Sequence, residues 1–566
     1  MRSTGFFVGL CMLLVGCGGK DTQPKIAKGS AVYGGELRFM SAEKVEKLFP
    51  LASEDVYEQR MNNQIFETLL KIDQNDSDVV PALAESYTVS RDAKTYTFRI
   101  RKGVFFHDDP CFSGGDGREL TADDIKFSLE LACSGLPENR VGNLFLNKIK
   151  GAKAFHAATK YEVVNQSVSG INVKDKYTLE ISLESPFVGF DKMLTHSNLG
   201  VFPKEAYDKY GATVAKHPVG TGPFKLGSWN NNGIVLERNP AYWRKDRFGN
   251  TLPFLDRVLL TYAKSKKVEL LAFRKSKIDL ILKIPANEIE NTLGTLKEAQ
   301  EGKTVKHKVD SKNSLSLTYI GLNNGVAPFA DKNVRQAFNF AIDRAELVNT
   351  WLKGEGYPVT NGFVPALSGY PSNNVNGFSR NVVQAQQALT KAGFPNGVGF
   401  PAVEIYVNTE AGSSTYQLVK GLQSQLKAHL NIDLKIKLCT LRERSAAIKS
   451  GKAHMWISGW IADYPDPQNF LDLFYSGKNS ATGKNQFHFV NSTFNNLLEA
   501  AMKEKSVSKR TDLWVKCDQM IINEAVVIPI YNDDFITMVN AKVRNFKTNS
   551  MEILDFSTIF IREPQK

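Results

Sequence analysis

The sequence predicts an α/β protein of two or three domains folded into one another. Three observations lead there. The chain has 566 residues, too many for one compact core. Between residues 400 and 475 it reads strand, helix, strand, helix, strand, which is α/β organisation. After residue 30 no composition boundary, internal repeat or low-complexity tract divides it, so the domains interleave rather than follow in a row.

Bulk composition narrows the function classes. Hydrophobic residues make up 42% and charged residues 23%, which excludes a disordered chain and a polytopic membrane protein. The net charge of +12 is mild over this length, and no run of five or six like charges forms a nucleic-acid arm. The excess suits a basic surface meeting an acidic envelope or partner.

The N-terminus is more specific. Met1 and Arg2 precede an apolar run, Gly5 to Gly16, that suits residues 1–16 as a signal peptide and is short for a membrane span. The run ends LVGC, Leu14 to Cys17, which resembles a bacterial lipobox. That resemblance implies cleavage before Cys17 and lipidation of its thiol; the alternative is plain secretory cleavage beside an incidental cysteine. Several acyl chains on Cys17 would anchor stably where one would not. Residues 18–30 are polar and read, with Cys17, as a tether (17–30).

The elements follow in order. Gly35 to Met40 is a first strand, and Val56 to Leu70 is helical in pattern. Thr95 to Arg101 alternates, with Tyr96, Phe98 and Ile100 on one face. Thr121 caps a helix whose first turn holds Asp123 and Asp124. Ile234 to Glu237 is a strand. Val334, Ala337, Phe338, Ala341 and Ile342 share a helical face behind a cap at Asp331. Ile432 to Leu438 alternates as a strand, Leu513 to Ile522 is an amphipathic helix, and Val526 to Tyr531 is a strand. An exported chain can keep disulfides. Cys111 and Cys133, 22 residues apart and both flanked by loop-like sequence, are expected to pair, stabilising by roughly 3 kcal/mol. Cys517 sits on an apolar helical face as core.

Seven stretches then resemble one family, the extracytoplasmic solute-binding proteins of family 5, which serve ABC importers of oligopeptides and dipeptides. VVPALAESY (Val79 to Tyr87), TYTFRIRKGV (Thr95 to Val104), LTADDIKFS (Leu120 to Ser128), PVGTGPF (Pro218 to Phe224), ERNPAYW (Glu237 to Trp243), DKNVRQAF (Asp331 to Phe338) and GWIADYPDP (Gly459 to Pro467) occur in the family's order. The resemblance implies a periplasmic-binding-protein-like fold, with two lobes, a ligand cleft and three interleaved domains. Lobe 1 would comprise 31–62, 200–317 and 529–566, with an inserted domain at 63–199. Lobe 2 would comprise 318–528, with crossings near Thr318 to Ile320 and Ile528 to Tyr531.

It also implies a site. Asp463, three residues after Trp460, would take a peptide's terminal ammonium in a charge-assisted bond. Backbone groups of Gly459 and Ile461 would pair with the peptide like an added strand. Trp460 and Tyr464 would wall a side-chain pocket. Ser53 and Glu54 in lobe 1, and Tyr319, Asn323 and Tyr531 at the crossings, are further candidates. Without the resemblance, D-Y-P-D-P is turn chemistry, and Asp466 stays a turn residue. In some relatives cations near the motif strand meet the peptide carboxylate. Here Arg442, Arg444 and Lys449 are nearest, at no matching spacing. The partners implied are a peptide, membrane permease subunits and the membrane that holds the lipid. The chain would act as a monomer, exported to the periplasm or cell surface, with no cofactor, metal or nucleic acid.

Two other readings use the same residues. The cleft could take an oligosaccharide, an opine or a metal chelate, or the lipoprotein could act by contact with another protein. An enzyme is disfavoured: no G-x-S-x-G, P-loop or H-E-x-x-H occurs. His107, Asp108 and Asp109 read as a solvated loop, and Gly220 and Gly222 as a tight bend.

Overall fold

The computed structural model describes residues 25–75, 78–161, 166–284, 307–352, 356–477 and 485–562. The expected signal peptide and Cys17 lie outside them.

Three sheets organise the chain. A seven-stranded sheet runs His307–Asn313, Asp534–Asn540, Leu280–Leu282, Glu36–Ser41, Arg257–Tyr262, Gly233–Arg238, Phe224–Asn230. It therefore draws strands from the start, the middle and the end of the sequence. A six-stranded sheet runs Tyr357–Pro358, Val527–Asn532, Ser316–Leu322, Met455–Ile461, Val403–Val407, Leu434–Leu438. A four-stranded antiparallel sheet runs Ala84–Val89, Thr95–Ile100, Thr178–Ser182, Ile171–Asp175.

Local chemistry sets the elements that frame the cleft. On Thr95–Ile100 the residues Tyr96, Phe98 and Ile100 are buried, and they join one hydrophobic cluster with Leu37 and Phe39 of the seven-stranded sheet. The helix Ala122–Ala132 starts with a capping box, in which the Asp124 carboxylate accepts the Thr121 N–H at 2.8 Å. The helix at Val56 is shorter than its pattern. It ends at Ile65, and Leu70–Ile72 is a strand. Glu67 turns inward instead, accepting hydrogen bonds from Thr221, Tyr242 and Trp243. Burial raises its pKa above the usual carboxylate range.

The chain passes between the two large sheets twice, between Asn313 and Ser316 and at Asp533. Both crossings lie a few residues outside the expected ones, so Thr318–Ile320 and Ile528–Tyr531 sit wholly within the six-stranded sheet. The crossings are tied to each other. Ser316 donates to the Asp533 carboxylate at 2.9 Å, and the Ser314 N–H donates to the Asp533 carbonyl at 3.0 Å.

The expected Cys111–Cys133 bridge is not formed; both thiols are free. Cys111 lies in the turn beside Asp109, on a loop that reaches the start of Ala122–Ala132 through Arg118 and Asp124. Cys133 caps the other end of that helix, whose 11 residues span about 16 Å. A disulfide needs Cα atoms within about 7 Å. The expected solvated loop at His107 to Asp109 holds for Asp108, which is exposed, but not for His107. His107 is buried, its Nδ1 accepting from the Gly220 N–H and its Nε2–H donating to the Gly222 carbonyl at 2.9 Å. Gly220 and Gly222 serve close approach, not positive φ. A Cβ on either would stand 2.1 or 2.5 Å from a carbonyl oxygen at the end of Val56–Ile65.

Candidate functional site: the interlobe cleft

A cavity of about 640 Å³ lies where the three sheets' surroundings meet, within the range of small-ligand sites. Ser53, Glu54 and Gln59 line it from one side, with Arg140, His196 and Asn198 from the segment around the four-stranded sheet. Tyr319, Arg444, Ser458, Gly459, Trp460 and Asp463 line the other side.

The strand Met455–Ile461 forms the second wall. It pairs antiparallel with Ser316–Leu322 along its whole length. On its other edge Val403–Val407 reaches only Met455 and Trp456. The Ala462 N–H donates to the carbonyl of Leu315, its opposite residue, at 2.8 Å. In an antiparallel ladder such bonded pairs alternate with outward-facing ones. Trp460 and Ser458 therefore bond inward, and the N–H and C=O of Gly459 and Ile461 point to the strand's unpaired edge. Gly459 is exposed, and a Cβ there would touch only ladder atoms at 3.6 Å or more.

The motif's end fixes Asp463. Asn469, fully buried, accepts from the Trp460 indole at 2.8 Å and from the Asp463 N–H at 3.1 Å, and donates to the Asp463 carboxylate at 3.2 Å. The carboxylate is one-third exposed, with its second oxygen 3.6 Å from His196 Nε2. His196 Nδ1 accepts the Asn198 N–H, so Nε2 carries the proton and faces Asp463. Asp466 caps the helix Pro467–Leu471 and pairs with Lys192 at 3.0 Å. Its turn role thus also joins the two sides of the cleft.

The polar groups of the opposite wall bond largely to one another. Ser53 Oγ accepts from Asn62, the Ser53 carbonyl from Asn198, and the Asn198 side-chain oxygen from Gln59. Glu54 is bracketed by Lys47 and Arg140; the hydrogen bond from Lys47, then that from Arg140, holds its carboxyl below the usual range.

The structure brings Ser53, Glu54, Tyr319, Gly459, Trp460 and Asp463 to the cavity and leaves four expected residues outside its lining. Tyr464 is 1% exposed, hydrogen-bonded to Gln468 and packed into the cluster of the seven- and four-stranded sheets. Asn323 is buried, its side chain accepting the Gly325 N–H. Tyr531 lies in the sheet opposite Thr318 and Pro358. Ile461 offers only its backbone edge. Sequence reading missed Arg140, His196 and Asn198, for which no local pattern exists. It left Arg444 unplaced. The capping box of Thr440 and Glu443 starts the helix Leu441–Lys449 and sets Arg444 in its first turn. The Arg444 guanidinium donates to the Ile457 carbonyl at 2.7 Å and to Asn408. Among the described residues no carboxylate pairs with it and its Nε lacks a partner. Burial lowers its pKa.

Comparison with known proteins bears on this cleft. The model of the bacterial extracellular solute-binding proteins, family 5, matches residues 78–482. The chain belongs to that family. It is 26% identical to the oligopeptide-binding protein OppA of Bacillus subtilis over 495 residues, 86% of this chain and 85% of that one. It is 26% identical to the glutathione-binding protein GsiB of Salmonella choleraesuis over 88% of this chain and 89% of that one. The periplasmic binding protein DppA of Helicobacter pylori, solved with the peptide STSA, superposes with a TM-score of 0.77 at 25% identity, over 94% of this chain and 99% of that one. Its fold is that of the periplasmic binding proteins.

Proposed function

We propose that this cleft captures peptides by backbone and termini, as the substrate-binding part of an ABC importer. The observation that carries the reading is the unpaired edge of Met455–Ile461, which runs into Asp463. The edge offers the N–H and C=O groups of Gly459 and Ile461 to an extended ligand and reads no side chains. Asp463 stands two residues beyond Ile461 and meets the terminal ammonium, with His196 behind it. Arg444 supplies a cation for a carboxylate on the same wall. The peptide- and glutathione-binding names of relatives over most of the chain support the same class.

The lobes exchange between open and closed forms by rotation at the two tied crossings. A ligand that touches both walls favours the closed form, since only differential contacts shift such an equilibrium. Closed lobes dock on a membrane permease, and ATP hydrolysis in another subunit drives uptake. Cys17 carries the lipid that keeps the receptor at the membrane, and the chain turns over no substrate.

Native mass spectrometry of residues 18–566 tests the reading, with co-purified ligand released and identified. A ladder of mixed peptide masses is expected. One recurring non-peptide mass, such as an oligosaccharide, an opine or a metal chelate, would keep the receptor and remove the amine clamp.

A further inference from the structure

A second, separate concavity lies where the described chain begins. Its volume is about 610 Å³, and it shares no lining residue with the cleft. Lys28, Arg244, Lys245, Arg247, Arg544 and Lys547 line it, with Asp246 as the one carboxylate among its described lining residues. Asp246 is already occupied, accepting from the N–H groups of Phe248 and Asn250 and from the Asn250 side chain. Arg244 is paired inward with Asp555. Lys28, Lys245, Arg247 and Lys547 are exposed; Arg247 interacts with Asp246 at longer range, and among the described residues none of the four forms an ion pair within 4.0 Å.

Apolar groups share this face. Phe248 is 43% exposed under the Arg247 guanidinium, 4.7 Å from its ring centre, and Ile26 is 72% exposed on the adjoining segment. The basic loop is fastened to the turn at Lys28–Ser30, the first described element. The Lys28 N–H donates to Asn250 at 3.1 Å, and Asn250 donates back to the Lys28 carbonyl at 2.9 Å. The Phe248 ring lies on Gly29, where a Cβ would stand 2.3 Å from it.

We propose that this face docks on the anionic phospholipid headgroups of the membrane that holds the anchor. The proposal rests on the lipid reading of Cys17. Seven residues separate Cys17 from Lys25, a reach of about 25 Å at full extension. The anchor therefore keeps the start of this face within that reach of the bilayer. Cations beside exposed apolar side chains are the composition of interfacial binding. Each cation near an anionic surface strengthens partitioning by about fivefold, and salt screens the effect beyond about 8 Å. Docking by the face that carries the tether would fix the receptor's orientation on the membrane.

Residues 18–566, without lipid, retain every described residue and are sedimented with phosphatidylcholine vesicles, with and without phosphatidylglycerol. Binding is expected only to the anionic vesicles, falling as salt rises. Joint substitution Lys28→Gln, Lys245→Gln and Arg247→Gln should lower it on the order of a hundredfold, with ligand binding in the cleft unchanged as the check on folding. Equal binding to neutral vesicles, an unaffected triple variant, or no binding at low salt would overturn the proposal. So would charge-dependent binding only when a permease is present in the vesicles, which would make the partner a protein. Palmitate labelling of the full chain against Cys17→Ser tests the anchor separately. Label with no vesicle binding refutes docking alone; vesicle binding with no label refutes the anchor alone.

Discussion

The two walls of the cleft are built on opposite principles. The wall carrying Ser53, Glu54, Gln59 and Asn198 has spent its polar groups largely on itself. The wall formed by Met455–Ile461 keeps a backbone edge without a strand partner, and Arg444 beside it has no carboxylate among the described residues. A wall bonded largely to itself offers shape at little cost of unmet hydrogen bonds. An open edge demands a ligand that can complete it. The comparison assigns recognition to the second wall and enclosure to the first.

Removing the ammonium contact should separate the walls most. Asp463→Ala should weaken a free-amine peptide by about 2–5 kcal/mol, at least thirtyfold, measured by calorimetry. An N-acetylated peptide should bind weakly to both proteins and show no further loss in the variant. Equal affinity of both proteins for the free-amine peptide would take Asp463 out of the site.

Acid should also distinguish the two sides. Behind the first wall, burial lowers the His107 pKa from 6.5 to about 4. Its contribution to stability is present above pH 6.5 and falls, by about 3 kcal/mol, as pH drops to about 4. Behind the second wall, burial raises the Asp518 pKa from 3.8 to about 6, despite its bonds from Phe363, Tyr370 and Val364. That contribution is present below pH 3.8 and is lost as pH rises through about 6. The slopes oppose each other and offset in the native chain. In thermal melts His107→Gln should gain stability from pH 7 to pH 4 relative to the native protein, and Asp518→Asn should lose it. Parallel profiles would contradict both assignments.

Smaller effects sharpen the same contrast. Gly459→Pro deletes one outward N–H without touching the ladder to Ser316–Leu322. It should weaken peptide binding by about 1 kcal/mol, roughly fivefold, with an unchanged circular dichroism spectrum. Glu54→Gln or Arg140→Gln on the first wall breaks a half-exposed pair and should change affinity less than about fivefold. A larger loss from either would give the first wall a recognising role.

Local chemistry in the sequence foretells much of the fold. The alternation at Thr95, the capping box at Thr121 and Asp124, and the cap at Asp331 each specify an element with residues no more than a few positions apart. The helix at Val56 runs over because Glu67 leaves it for partners more than 150 residues away. The site divides likewise. Gly459, Trp460 and Asp463 belong to one short motif and stay together. Tyr464 belongs to it too, but it lies in the bend past the strand's end and packs into a core shared with another domain. His196 and Asn198 reach the cavity only through the assembled fold, and nothing near them in sequence marks them.

The order of strands in the seven-stranded sheet bears on the protein's birth. Asp534–Asn540 lies between His307–Asn313 and Leu280–Leu282 and bonds to both. A chain emerging from its N-terminus cannot complete this sheet until nearly its last residue has appeared, so pairing over such sequence separation comes late. In an exported protein with this topology, the place beside the edge strand His307–Asn313 is filled by the tail. The lobe built on that sheet stays open until the tail arrives, whereas the four-stranded sheet has all its strands once Ser182 has appeared.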